Sequence, residues 1–302
     1  MATSLKPETM LPNDLAPPDH PGLFSKTTIR AIIAGILLSI GFRSILVSIY
    51  GSWFDPGLFM EHGILVGPAA AYMAWIKRDR LKQVPVQPSA WGFLVVVCGA
   101  LQAALGVLTH WIWVSRASFL VSLVGCIALV YGWPMIRELV YPLCTLILMI
   151  APPTLLLARL TLSLQLLAGS LGERFLELFG YPVLREGSVI EMVGIKLSVE
   201  EVCSGVYALM AVFFMATLYN YFFVKGNVMR LLILLLSVPI AILGNAARMV
   251  AAGMAGQSDP WSPTGGLSQP FGYVTVTIAT LGCMAMHIIM LSIQRLWRYR
   301  RA

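Results

Sequence analysis

Apolar stretches long enough to cross a bilayer follow one another along most of this chain, and a water-soluble core has no way to absorb them. A spanning helix needs about 20 consecutive apolar residues. Runs that meet or approach this length fall at Ala31–Tyr50, Gly63–Ile76, Ala90–Leu108, Ala117–Trp133, Leu139 to about Ile150, Val206–Val224, Leu231–Ala247 and Phe271–Ile293. Only 12% of the residues are charged, about half the usual share in a soluble domain. The expected fold is therefore an all-α polytopic membrane bundle of about eight transmembrane helices.

The formal net charge of +7 does not make this a nucleic-acid binder, because the cations sit beside hydrophobic runs instead of forming a basic domain. The run Lys77, Arg78, Arg80, Lys82 closes the second span, and Arg295, Arg298, Arg300 and Arg301 follow the last. Cytoplasmic loops are enriched in Lys and Arg. That bias predicts both termini in the cytoplasm and an even number of crossings. Residues 1–24, rich in proline and polar groups, read as a disordered cytoplasmic tail without a signal peptide. Residues 25–302 then form the membrane domain.

One outer segment, about 153–202, is not a spanning helix. From Ala158 to Gly180, apolar residues recur at helical spacing among Arg159, Gln165, Glu173, Arg174 and Glu177, which predicts an amphipathic interfacial helix. The following YPVLREGSVIEMVGIKLSVEE has β-branched residues, an Arg-Glu-Gly turn and a second break at Gly194, which predicts a small β-hairpin or meander.

Five cysteines without CxxC spacing make neither a disulfide scaffold nor a zinc site. Four of them, Cys98, Cys126, Cys144 and Cys283, lie within hydrophobic runs. Cys203, in VEEVCSGVYALM, sits where a polar outer segment becomes a spanning helix. The positive end of a helix dipole favours thiolate, while Glu200 and Glu201 oppose it. Arg248, in GNAARMVAAG with Asn245 one turn earlier, is expected to emerge on the same side as Cys203 at the end of its span. There a guanidinium would lower the thiol pKa and stabilise an acyl-transfer oxyanion; a snorkelling arginine is the common alternative.

These residues carry a family resemblance. GYPVLREGSVIEMVGIKLSVEEVCSGVYAL resembles the exosortase pattern, in which a Gly-x-Pro-Val stretch and an EG step precede V-x-E-x-C-S-G, and Asn245 with Arg248 matches its N-x-x-R motif. EHGILVGP (Glu61 to Pro68) is similar to the family's SHG-x-L-V-P segment, and PLCTLILMIAPP to its proline-terminated mid-chain span. The resemblance covers roughly Trp53 to Tyr273. It implies a cysteine transpeptidase of the bacterial inner membrane, without cofactor or metal, acting at the outer surface. Its substrates would be exported proteins ending in a sorting signal: a short motif such as Pro-Glu-Pro, a transmembrane helix and a basic tail. Cys203 would form a thioacyl intermediate, resolved by an envelope acceptor. Glu201 would orient Arg248 or a backbone group, and Ser204 and Gly205 would serve geometry.

One departure bears on activity. The family places a histidine shortly before a Gly-aromatic pair at the last span, where this chain has Ser268 in GGLSQPFGYVTV. Serine supplies neither a ready base nor a cation at neutral pH. His287 lies about 15 residues beyond Gly272, roughly 22 Å along a helix. His62, on the expected outer side, either approaches the site or caps the second span. A homologue without catalysis, serving as a binding or assembly factor, is one alternative; a transporter is another, although no repeat is apparent. Arg43 reads as structural, His110 and the tryptophans Trp53, Trp75, Trp91, Trp133, Trp261 and Trp297 as interfacial belt residues. No Walker, HExxH or Rossmann pattern occurs.

Overall fold

A computed structural model describes residues 26–55, 60–187, 189–193, 195–198 and 206–258, together with 277, 280–282, 284–289 and 291–292 of the last apolar segment. The tail, Glu201, Cys203, Ser204, Gly205, Ser268, Trp261 and Trp297 lie outside the described residues.

The protein is a helical bundle with one small sheet. In chain order the helices are α1 (Lys26–Gly41), α2 (Arg43–Trp53), α3 (Gly63–Ile76), α4 (Arg78–Gln83), α5 (Trp91–Leu108), α6 (Ile112–Val130), α7 (Trp133–Thr145) and α8 (Thr154–Leu178). Strands β1 (Val183–Glu186), β2 (Val189–Met192) and β3 (Ile195–Ser198) precede α9 (Val206–Phe223) and α10 (Asn227–Ser258). Among the described residues, three helices are long and apolar enough to cross a membrane: α5, α6 and the Asn227–Ala251 part of α10. The bent pair α1–α2 makes a fourth if taken as one span, and Gly63–Ile76, Leu209–Phe223 and Thr280–Ile289 are shorter apolar helices.

The expected first span is not straight. It turns by 71° at Phe42, just after Gly41, a poor helix former. Tertiary contacts hold the bend. Phe42 is buried edge-on against Phe119 of α6, and the Arg116 guanidinium donates from Nη2 to the Ser48 main-chain oxygen at 2.9 Å. The expected Leu139–Ile150 span is also different. Helix α7 starts earlier, tightens into a 3-10 turn at Leu146–Met149, and gives way to an extended Ile150 before Pro152 and Pro153. Proline removes a helical donor and disfavours helix at the residue before it, so the helix ends ahead of this pair.

The most extensive helix contact is between α5 and α6, and it is built on small residues. Gly92, Gly99 and Gly106 recur every seventh residue on α5 and are all buried. Opposite them stand Leu129, Ser122 and Ser115 of α6, so near that a Cβ on Gly99 would overlap the Ser122 Oγ and one on Gly106 would lie 2.5 Å from the Ser115 main-chain nitrogen. Gly125 reciprocates, meeting the Val96 backbone. Seven residues are two turns of a slightly underwound helix, which keeps one seam in register along both helices.

The sheet is a three-stranded antiparallel meander in the order β1-β2-β3, one strand more than a hairpin. Its register pairs Arg185 with Ile190 and Ile190 with Leu197. Gly187, at φ +62°, makes the first turn in a region that costs other residues strain. Ile190 and Met192, two apart on β2, face the protein and pack with Leu176 of α8 and with Met249 and Val250 of α10. A half-buried ion pair, Arg185 Nε to Glu173 Oε2 at 2.7 Å, fastens β1 to α8. The amphipathic helix is thus no isolated surface element: α8 packs along α10 with the meander against both.

Candidate functional site

Helices α9 and α10 form an antiparallel pair joined through Gly226, at φ +93°. The pairing runs in step away from that turn. Asn220 Nδ2 donates to the Arg230 main-chain oxygen at 3.0 Å, Ala216 packs with Ile233, and Val212 packs with Ala241. One turn further, Leu209 shares a small cleft with Ala241, Ile242 and Asn245, closed on the third side by Leu164 of α8. The N-terminal end of α9 is therefore level with the Asn245–Arg248 part of α10.

Arg248 stands in the last turn of the apolar span Asn227–Ala251, where the sequence puts it, but the helix itself runs on. The stretch AARMVAAGMA is rich in alanine, the best helix former, and α10 continues to Ser258. The guanidinium is also not snorkelling: Arg248 is only 3% exposed and Asn245 4%. Burying a guanidinium is costly without compensating partners. Next to it, Met249 is fully buried against Gly172 of α8, where a Cβ would stand 3.2 Å from the Met249 Sδ. Gly172, Gln165 and Leu164 of α8 were not singled out as site residues from sequence. The signal was present in Gly172, a small residue among bulky ones in SLGERF, and Gln165 turns out to be buried at 7%.

The seven residues 199–205, which include Cys203, connect two described anchors. Strand β3 touches α10 at one end, and α9 pairs with α10 at the other. Cys203 is three residues before Val206, a reach of at most about 11 Å along the chain.

His62 takes a different position. It precedes α3 and is 9% exposed, its ring centroid 6.2 Å from that of Phe214. Trp53 closes the same corner, donating its indole N–H to the Met149 oxygen at 3.1 Å and lying so close to Gly63 that a Cβ there would overlap the ring. Trp53 is a half-buried packing residue here. Neither His62 ring nitrogen has a partner of hydrogen-bonding geometry among the described residues, although the Leu148 main chain acts on the ring. Burial pushes its pKa down to about 4, with the Leu148 backbone opposing. A neutral imidazole of that basicity is a poor acceptor for a thiol proton near pKa 8.5. Phe214 is eight residues into α9, about 12 Å along the helix from Val206.

His287 is remote. Its Nδ1 lies 2.8 Å from the Tyr219 hydroxyl, near the other end of α9 and about 20 Å along the helix from Val206. Cys98 and Cys144 are exposed on the apolar exterior and Cys126 is half-buried. Arg43 is exposed at the bend between α1 and α2.

Comparison with known proteins adds one match. A family profile described as Transmembrane exosortase covers residues 53–285. No curated protein and no solved structure matches the chain.

Proposed function

Since this chain belongs to the transmembrane exosortase family, a family of membrane sorting transpeptidases, we propose that it cleaves and transfers exported proteins at a site formed by Cys203 and Arg248. The observation that carries this reading is the buried Arg248, whose neighbours Met249 and Val250 pack with α8 and the meander, level with the start of α9, three residues after Cys203 in the chain. A thiol tethered within about 11 Å of that helix end has the reach to meet the guanidinium.

The thiol ionises and its sulfur adds to the scissile carbonyl carbon. Arg248 stabilises the oxyanion. The C–N bond breaks, the departing amine takes the proton the thiol released, and the acyl group stays on sulfur as a thioester. A nucleophile from an envelope acceptor then attacks the same carbon, the C–S bond breaks, and the proton the acceptor gives up restores the thiol. Asn245, one turn from Arg248 and facing the cleft with Leu209, positions the guanidinium or the substrate backbone; Glu201, Ser204 and Gly205 support the loop. The third group is Ser268 or His62, and the low basicity of His62 fits a hydrogen-bonding role better than that of a base.

We place residues 25–302 as one membrane domain of eight crossings in the inner membrane, with 153–202 as its outer elaboration and both termini cytoplasmic. The directions of α3 and α9 support this. His62 at the start of α3 lies near Phe214, whereas Met73 and Lys77 at its end lie near Tyr221, so both helices run the same way. Their shared final end holds Lys77, Arg78, Arg80, Lys82 and Lys225, the cation-rich side expected in the cytoplasm. Arg248 and the start of α9 fall at the other end. Substrates would carry a short motif of the Pro-Glu-Pro kind, an apolar helix and a basic tail.

The test is processing of such a substrate by Cys203→Ala and Arg248→Ala variants. Both should abolish cleavage, and unchanged cleavage by either ends the assignment. Serine at position 268 favours a second reading, a homologue that binds and sorts without turnover; it requires that Cys203→Ala leave sorting intact, whereas a weakened enzyme gains turnover with Ser268→His.

A further inference from the structure

The opposite end of the bundle carries an independent cluster. Lys77 Nζ stands 5.9 Å over the Tyr221 ring, the Tyr221 and Tyr141 centroids are 5.1 Å apart, and Arg230 Cζ stands 5.8 Å over the Tyr141 ring. Two cations are thereby held across one pair of tyrosines, each attracted to a ring face. The tyrosine hydroxyls are already committed, donating to the Thr217 and Met73 oxygens at 2.8 Å, so they fix the rings and leave recognition to the cations. Lys77 Nζ donates to the Glu138 main-chain oxygen, and Arg230 Nε to the Val224 main-chain oxygen, which leaves both Arg230 Nη groups without a partner among the described residues. Lys77 and Arg230 are half-buried. Neither cation has a carboxylate within ion-pair distance among the described residues, so both charges are available to an anion.

The surroundings add charge and an apolar border. Arg78, Arg80, Lys82, Arg137 and Lys225 flank the cluster against Asp79 and Glu138. Arg78 Cζ stacks 4.9 Å over Trp75, and Trp75 and Tyr72 are 62% and 57% exposed on the adjoining apolar face. Amphipathic aromatics mark headgroup depth in a membrane protein. We propose that Lys77 and Arg230 bind the phosphate of an anionic phospholipid whose acyl chains lie along Tyr72 and Trp75. The site needs only membrane insertion and is independent of the transpeptidase reading.

The test uses the full chain in detergent with short-chain phosphatidylglycerol or phosphatidylcholine, read by native mass spectrometry and thermal unfolding. Wild type should retain phosphatidylglycerol with about tenfold preference and unfold at a higher temperature in its presence. Lys77→Gln with Arg230→Gln should lose the preference, whereas Lys77→Arg with Arg230→Lys, and Lys196→Gln at the sheet, should keep it. Equal retention of the two lipids by wild type overturns the site, as does a preference surviving in the double Gln variant. Displacement of the lipid by millimolar inorganic phosphate would show a phosphate site instead, and would equally overturn it. If the Gln pair fails to fold, each single variant is compared with wild type by the same measure.

Discussion

Met249 of α10 packs its sulfur onto Gly172 of α8 so closely that a methyl group on the glycine would stand 3.2 Å from it. Arg248 is the residue before, so the fit of two helices at Gly172 sets where the guanidinium sits. Gly172→Ala needs a shift of a few tenths of an ångström and should be tolerated, because the far end of a methionine is adaptable. Gly172→Leu should displace α10 and lower substrate processing roughly 10- to 100-fold while the chain still inserts. Normal turnover in the Leu variant, measured by release of the sorting helix, contradicts this account.

In the proposed reaction Arg248 acts through a fixed fork of donors, which a lysine does not reproduce. Arg248→Lys should keep a buried positive charge yet reduce the acylation rate by about 100-fold, as expected for a lost oxyanion donor. Single-turnover labelling of Cys203 by a sorting-signal peptide separates this from weaker binding. A wild-type rate in the Lys variant would make the residue a counter-ion only.

The seam between α5 and α6 allows no side chain at its narrowest point. Gly99→Leu should cost about 3 kcal/mol or more, since the overlap falls on Ser122 and the α6 backbone. Gly35→Leu is the control, because nothing lies within 4 Å of that position. Thermal unfolding in one detergent compares the two, and equal midpoints would refute the close fit.

His62 predicts how stability varies with acidity. Its folded pKa, about 4, is below the unfolded value near 6.5, so the unfolded chain takes up a proton first as pH falls. The stability is full above pH 6.5 and is lost as pH drops towards 4, by at most about 3 kcal/mol. His62→Gln should flatten the melting temperature between pH 7 and 5. A slope unchanged by the substitution would assign the effect to other groups.

Hydropathy alone revealed a helical membrane protein, because lipid demands long apolar helices whatever their packing. It revealed neither the bend at Phe42 nor the 3-10 turn that closes α7. The first depends on Arg116 and Phe119, far along the chain, and the second on a proline pair whose effect reaches back to Ile150. Asn245 and Arg248 were legible as a short motif, yet the burial of Arg248 was not, because α8 and the meander, which pack on the adjoining Met249 and Val250, are remote in sequence. The glycines at 92, 99 and 106 were visible in the sequence, but their meaning requires Ser115 and Ser122 on the facing helix. Trp53 was legible as an aromatic at a span end, but its packing on Gly63 was not.

The glycine and serine seam differs in kind from the core of a soluble domain. Two backbones in close approach within lipid release no hydration water when they meet, so their association carries little heat capacity. Chilling, which loosens packing driven by water, should leave the α5–α6 pair as firmly joined as before.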